Sequence, residues 1–376
     1  MIQNLLLAKI LPTYTETSIC FIIFQVLFLV TYYNFKAEKN SPWPWCMLFV
    51  ACLTFFFDTD YFSYKSDFQR GLTIVGRKEP FYILLAELSG WNYTVWRMMV
   101  WGTALLLYYC TCKRLKLESY IAIYVLVFMF NGLFTYGRVI LAMTIYFFGF
   151  SFFAKPLEYN RQLSYLFGCC IIPLSFFAHR TFLPIILLTP LMFITITKTR
   201  FLLIMCLIPI VVIGINYIFS SFLSSEIQMG DSFSTFQASA ERAAGLANKT
   251  GRNWKSMLVY QARLFSFYVP FAYIGWQLFI SRTEYIIDAY LLKYFTAITI
   301  IIVVAISILY GLHTGNSETT GMRYLYMAGI PLSMLLAYMY QNEHISHKKL
   351  NILILLGFVS FEGNFIMYMI IHGLLS

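Results

Sequence analysis

SYIAIYVLVFMFNGLFTYGRVILAMTIYFFGFSFFAK, running from Ser119 to Lys155, is the stretch that decides the fold. It holds two apolar runs, 119–135 and 138–155, and between Ser119 and Lys155 the one charged side chain is Arg138. Each run has roughly the 17 or more apolar residues that a helix needs to cross a bilayer. Only helices and closed barrels satisfy their backbone hydrogen bonds in hydrocarbon, and runs of this length are helical. The stretch therefore predicts two adjacent membrane-spanning helices, with an arginine at the start of the second.

The same unit recurs in both directions. Spans are expected near 18–35, 43–57, 93–111, 119–135, 138–155, 162–178, 181–197, 200–220, 257–280, 289–310, 322–341 and 350–371. The expected fold is an all-α, polytopic transmembrane helical bundle of about 12 spans, a single integral membrane domain over residues 1–376. Composition agrees. Of 376 residues, 60% are hydrophobic and 12% charged, against about 25% charged in a soluble domain, and mean hydropathy is +0.70. The first run, Ile19 to Tyr33, is followed by Asn34, Phe35 and Lys36 without a small-residue cleavage site, and reads as a retained helix. The eight cysteines sit in or beside apolar runs without zinc-site spacing, and read as packing residues.

Net charge is +10. Its carriers are scattered among the spans rather than gathered into a basic domain, which argues against a nucleic-acid partner and for lipid head groups or a phosphorylated lipid. Lys36, Lys39, Lys113, Arg114, Lys116, Lys155, Arg161, Lys198, Arg200, Arg282, Lys348 and Lys349 fall on one side of a twelve-helix arrangement. By the positive-inside rule that side is cytoplasmic, which puts both termini and the long connections 58–92 and 221–256 outside. Within the first connection, Glu79-Pro80-Phe81 begins an apolar segment ending near Leu88. It is too short to span, so it should lie along the outer interface or re-enter, with Pro80 in a first helical turn. Residues 238–247 of the second are a candidate short helix or lid.

The outer side should be poor in Lys and Arg, yet more than half of the 27 lie outside the basic loops. Five of these, Arg97, Arg138, Arg180, Arg263 and Arg323, fall within about two turns of the outer end of a helix running inward. A helix N-terminus already offers free N–H groups and partial positive charge, and an arginine adds a planar donor fork suited to phosphate or diphosphate. Each arginine taken singly is equally well read as an interfacial anchor.

Acidic groups gather outside the second helix at Asp58, Asp60 and Asp67, followed by Glu79. A carboxylate at the membrane boundary, beside rings such as Tyr61 and Tyr64 that can stack on sugars, suits a general base on a hydroxyl; a metal ligand or a solvated loop charge are the alternatives. His179-Arg180 separates two spans at the same face, and imidazole is a competent proton carrier. His313 is a candidate accessory group ahead of Arg323. No cofactor is expected: there is no Gly-rich nucleotide loop or Walker lysine motif, and a divalent metal is compatible but not implied.

Taken in order, Asp60-x-x-x-Tyr64, Glu79-Pro80-Phe81, Arg138-x-x-Leu141-Ala142, His179 and Arg323-Tyr324 span nearly the whole chain. In these motifs the chain resembles the EpsG-like polymerases of bacterial exopolysaccharide and O-antigen synthesis, in the broader Wzy-type group. The resemblance implies transfer of a growing glycan from undecaprenyl diphosphate to the terminal sugar of an incoming lipid-linked repeat, at the outer face of the bacterial cytoplasmic membrane. It implies Asp60, Glu79 or His179 as the catalytic group and Arg138, Arg180, Arg263 and Arg323 around the diphosphate. Tyr64, Arg97 and Tyr324 would be further substrate contacts. A chain-length regulator is a partner that the residues neither require nor exclude. Two other readings compete: a different polyprenyl-linked sugar transferase or ligase, and a non-enzymatic transporter or flippase for the same lipid-linked glycans. The second should show two related halves with broken helices, and no such repeat is visible.

Overall fold

The apolar runs fold as helices. The computed structural model describes residues 14–54, 65, 68, 79–130, 134, 137–194, 196–203, 254–280, 289–311 and 323–371. Among the described residues every regular element is helical: α1 Tyr14–Lys36, α2 Trp43–Thr54, α3 Pro80–Leu88, α4 Tyr93–Arg114, α5 Ser119–Met129, α6 Gly137–Ala154, α7 Arg161–Ile171, α8 Leu174–Ala178, α9 Leu183–Leu188, α10 Trp254–Phe279, α11 Ala289–Gly311, α12 Gly329–Gln341 and α13 His347–Ile371. Short 3-10 segments, Arg180–Phe182 and Thr189–Phe193, flank α9. Thr15–Lys36, Gly137–Ala154 and Arg161–Ala178 are long and apolar enough to cross a membrane, and shorter apolar helices cover Trp43–Thr54, Ser119–Met129, Arg180–Phe193 and Tyr290–Ile306.

Several expected spans are shorter or more broken than the apolar pattern suggested. Helix α5 ends at Met129 with Phe130 as its cap; at 1.5 Å per residue it is about 16 Å long, half a hydrocarbon core. The run 181–197 is segmented because Pro184 and Pro190 each restart a helical piece at its first turn. Proline has no N–H to continue the ladder, and its ring crowds the carbonyl four residues back. Pro173 separates α7 from α8 in the same way. At the last inward run, residues 323–327 are helical and Ala328 turns, its N–H bonding to the Leu325 carbonyl at 3.0 Å, because Pro331 cannot donate to Met327. Most of 200–220, the loop 221–253 and most of 58–78 lie outside the described residues.

Helices α5, α6 and α12 form the centre. Every residue from Ile121 to Met129 is buried, as is every residue from Gly329 to Met339. Such all-round burial needs helices on every side; α5 packs against α1, α12 and α13, and α6 against α4, α7, α8 and α11. The outer helices instead turn Ile22 and Leu29 of α1, Leu166 of α7 and Leu355 and Val359 of α13 outward, toward lipid. Small residues allow the closest crossings. A Cβ on Gly357 would stand 2.5 Å from Met129 Cα, so α13 approaches α5 only because position 357 has no side chain.

The two ends of the bundle differ. At one, the basic connections are tied together: Asn40 Nδ2 donates to Glu118 Oε2 at 2.8 Å, the Glu118 N–H to Gln341 Oε1 at 3.0 Å, and Arg114 Nη2 to the Lys155 carbonyl at 2.5 Å. Tyr290 reaches the Leu115 carbonyl at 3.2 Å. At the other end, α3 is turned onto α4 within four residues. Gly90 and Trp91 both adopt left-handed backbone, at φ +59° and +57°. Their N–H groups bond to the Glu87 and Ala86 carbonyls at 2.9 and 2.8 Å, closing the helix end. Asn92 then caps α4, its Oδ1 accepting from the N–H groups of Thr94 and Val95. This reversal holds α3 against α4 and α8, with the Phe81 and Phe177 rings 6.4 Å apart.

Candidate functional site

Arg138 is the second residue of α6, and Glu79 immediately precedes α3. The two form an ion pair, Arg138 Nη1 donating to Glu79 Oε2. Both side chains are nearly buried, at 14% and 12% exposure. A lone arginine at the centre of a membrane helix costs on the order of 3 kcal/mol by insertion measurements, and the carboxylate offsets part of such a cost. Tyr82, one turn beyond Glu79, lies with its ring centre 5.4 Å from the Arg138 guanidinium carbon, a cation–π contact on the pair's other side.

His179 sits in the break between α8 and the following 3-10 turn, with extended backbone at φ −157°, and caps both pieces. The Thr181 N–H donates to His179 Nδ1 at 3.3 Å, and the Thr181 hydroxyl lies 2.7 Å from the same nitrogen. A backbone amide can only donate, so Nδ1 is the acceptor and the neutral ring carries its proton on Nε2. The residue is 5% exposed. Burial first, then the guanidinium groups of Arg138 and Arg323, push its pKa down to about 3. His179 is therefore neutral at physiological pH.

Arg323 and Tyr324 complete the cluster. The Tyr324 hydroxyl donates to the Thr181 carbonyl at 2.6 Å, tying the residues around Arg323 to the helix break that carries His179. Segments far apart in sequence thus deliver two guanidinium groups, one carboxylate and one neutral imidazole to one end of the bundle, opposite the basic loops. Among the described residues the charges of this cluster sum to a positive value. Arg138 adds to the partial positive charge of the α6 N-terminus, so the arrangement suits a multiply charged anion.

The other expected site residues fall elsewhere. Arg97 turns inward, donating to the Cys52 carbonyl in the last turn of α2 and to the Tyr93 hydroxyl at 3.3 Å. Arg180 is exposed at the start of its 3-10 turn. Arg263 belongs to α10, one turn before Phe267, whose ring meets those of Phe130 and Tyr326; its side chain lies outside the described part. Asp60, Tyr64 and His313 lie outside the described residues. Tyr82 and Thr181 were not anticipated. Tyr82, three residues after Glu79, was discoverable from helical spacing, and Thr181 from the tendency of threonine to bond locally at helix breaks.

A bundle of apolar helices that gathers arginines, a carboxylate and an imidazole at one end has the form of a membrane protein with a polar site at that end. The EpsG family pattern matches residues 43–375, and the chain belongs to the EpsG family. The match takes in every residue of the cluster, and the family points to a polysaccharide-polymerase type of function and is consistent with lipid-linked glycan substrates. No match to the chain was found among curated proteins or among solved structures.

Proposed function

We propose that the protein is a membrane glycosyltransferase that polymerises lipid-linked repeat units. It transfers a growing glycan from undecaprenyl diphosphate to the terminal sugar of an incoming repeat at the outer face of the cytoplasmic membrane. The observation that carries this reading is the convergence of Arg138 and Arg323 on His179, at the end away from the basic loops. In the reaction the bond from the anomeric carbon to the diphosphate oxygen breaks, a bond to the acceptor hydroxyl oxygen forms, and the hydroxyl proton passes to a carboxylate. The diphosphate leaves with its charge stabilised by guanidinium groups already in place, which need no reorganisation as that charge develops. Glu79 holds Arg138 in position with Oε2 and keeps Oε1 for the acceptor; Asp60 is the other candidate base. Arg180 and Arg263 are the further candidates for contact with the diphosphate. The positive-inside rule supports the orientation, since the tied basic loops then face the cytoplasm.

The test is reconstitution of the purified protein with synthetic undecaprenyl-diphosphate repeats. The expected product is a ladder of polymer lengths, reduced about 100-fold in Arg138→Ala and in Arg323→Ala, the scale of losing one preorganised charge stabiliser. Full-length polymer from both variants, shown to be inserted and folded, would sink the assignment. A single added unit would select the transferase or ligase reading, and movement between leaflets without joining the transporter reading.

A further inference from the structure

We infer that Thr181 is a positioning residue that holds His179 as the Nε2-protonated imidazole, so that His179 meets the anion as a hydrogen-bond donor and not as a proton acceptor. The inference rests on the diphosphate reading of the site and assigns the part His179 plays in it.

Three observations lead here. Nδ1 is occupied twice by the same residue, by the Thr181 N–H at 3.3 Å and the Thr181 hydroxyl at 2.7 Å, so the ring cannot carry its proton there without losing a backbone donor. Thr181 is itself held, because its carbonyl accepts from the hydroxyl of Tyr324, a residue only 3% exposed. Among the described residues Nε2 has no hydrogen-bond partner, although the residue is 5% exposed and surrounded by arginine charge. An imidazole N–H without a protein partner is left to donate to whatever enters the site. Beside two guanidinium groups, the acceptor that fits is an anionic oxygen.

The chemistry balances without moving a proton at His179. As the glycosidic C–O bond breaks, negative charge builds on the departing diphosphate oxygen. The Nε2–H···O bond strengthens and the proton stays on nitrogen, while the acceptor hydroxyl proton leaves to a carboxylate. A neutral ring suits this role, because a further positive charge would be opposed by Arg138 and Arg323. Tyr324 gives the lock a second function: it couples the position of the Arg323 helix start to the orientation of the imidazole, so that both donors reach the anion together.

The decisive comparison is His179→Gln against His179→Ala. Glutamine places an N–H donor near the position of Nε2 but cannot serve as a base, so it is expected to stay within about tenfold of wild type where alanine loses about 100-fold. Thr181→Val, which removes the hydroxyl and keeps the amide, is expected to lower kcat about fivefold with KM unchanged, and Thr181→Ser to restore it. Equal loss in glutamine and alanine, or a Thr181→Val enzyme indistinguishable from wild type, overturns the inference while a wild-type ladder leaves the polymerase reading intact. A readout independent of turnover is the 15N spectrum of histidine-labelled protein in lipid, with His179 assigned from its disappearance in His179→Gln. A neutral ring protonated at Nε2 at pH 7 is expected. A ring protonated at Nδ1, or an imidazolium, overturns the lock even if the wild type makes no ladder, and that absence by itself counts against the polymerase reading alone.

Discussion

The protonation state of His179 comes from its neighbours. Its candidacy was legible from a polar residue interrupting two apolar runs, as were those of Arg138 and Glu79. Its protonation state was not, because that depends on Arg138 from α6 and Arg323 from the far end of the chain, and on the amide of Thr181. Arg97 has a position like that of Arg138 in the sequence, and only the fold shows that it donates to the carbonyl of Cys52. The low pKa has a consequence for stability. Unfolded, His179 takes up a proton near pH 6.5; folded, it does so only near 3. Between these values the unfolded chain binds more protons, so the contribution of His179 is fully present above pH 6.5 and is lost as pH falls toward 3. Among the described residues the charged groups facing the ring are Arg138 and Arg323, with Glu79 engaged on Arg138. Thermal unfolding in detergent at about pH 7, above that window, and about pH 4.5, within it, should show a larger acid loss for wild type than for His179→Gln. Equal losses would mean that His179 already titrates normally.

At the scale of elements, hydropathy located the helices, and four prolines mark where they break, although Pro270 lies inside α10 without ending it. The expected span 138–155 emerges as α6, Gly137–Ala154, and 18–35 lies within α1. Where Pro173, Pro184, Pro190 and Pro331 enter the pattern, the helices break, and the first two of these breaks bracket His179. An average over an apolar run cannot register such breaks, since each proline is apolar itself while removing one backbone donor. Contacts between helices were likewise invisible. The approach of α13 to α5 depends on Gly357, where an added Cβ would meet Met129 Cα at 2.5 Å and the Phe128 carbonyl oxygen at 2.8 Å, whereas a Cβ on Gly363 of the same helix meets nothing within 4 Å. Gly357→Ala should therefore destabilise the protein by about 1–3 kcal/mol, the scale of overpacking a filled interface. Gly363→Ala should be neutral or slightly stabilising through helix propensity. Unfolding midpoints of the two variants in the same detergent test this, and equal midpoints would show that the crossing is looser than its geometry.

Across the whole molecule, the chain separates its charges by end. Short basic connections are tied together at one, and Arg138, Arg323, Glu79 and His179 meet at the other. That polarity could be read from the sequence, because loop lysines and helix-start arginines occupy alternating turns. The lengths of individual crossings could not, because α5 holds only 11 helical residues where a full span was expected. The second end is the proposed diphosphate site. Its most direct test is equilibrium binding of sugar-free undecaprenyl diphosphate to the purified protein, with undecaprenol as competitor. Wild type should bind the diphosphate and ignore the alcohol, and Arg138→Ala and Arg323→Ala should each weaken binding about tenfold or more, as loss of a charge-assisted hydrogen bond requires. Folded variants that bind as wild type does, or an alcohol that competes as well as the diphosphate, would contradict it.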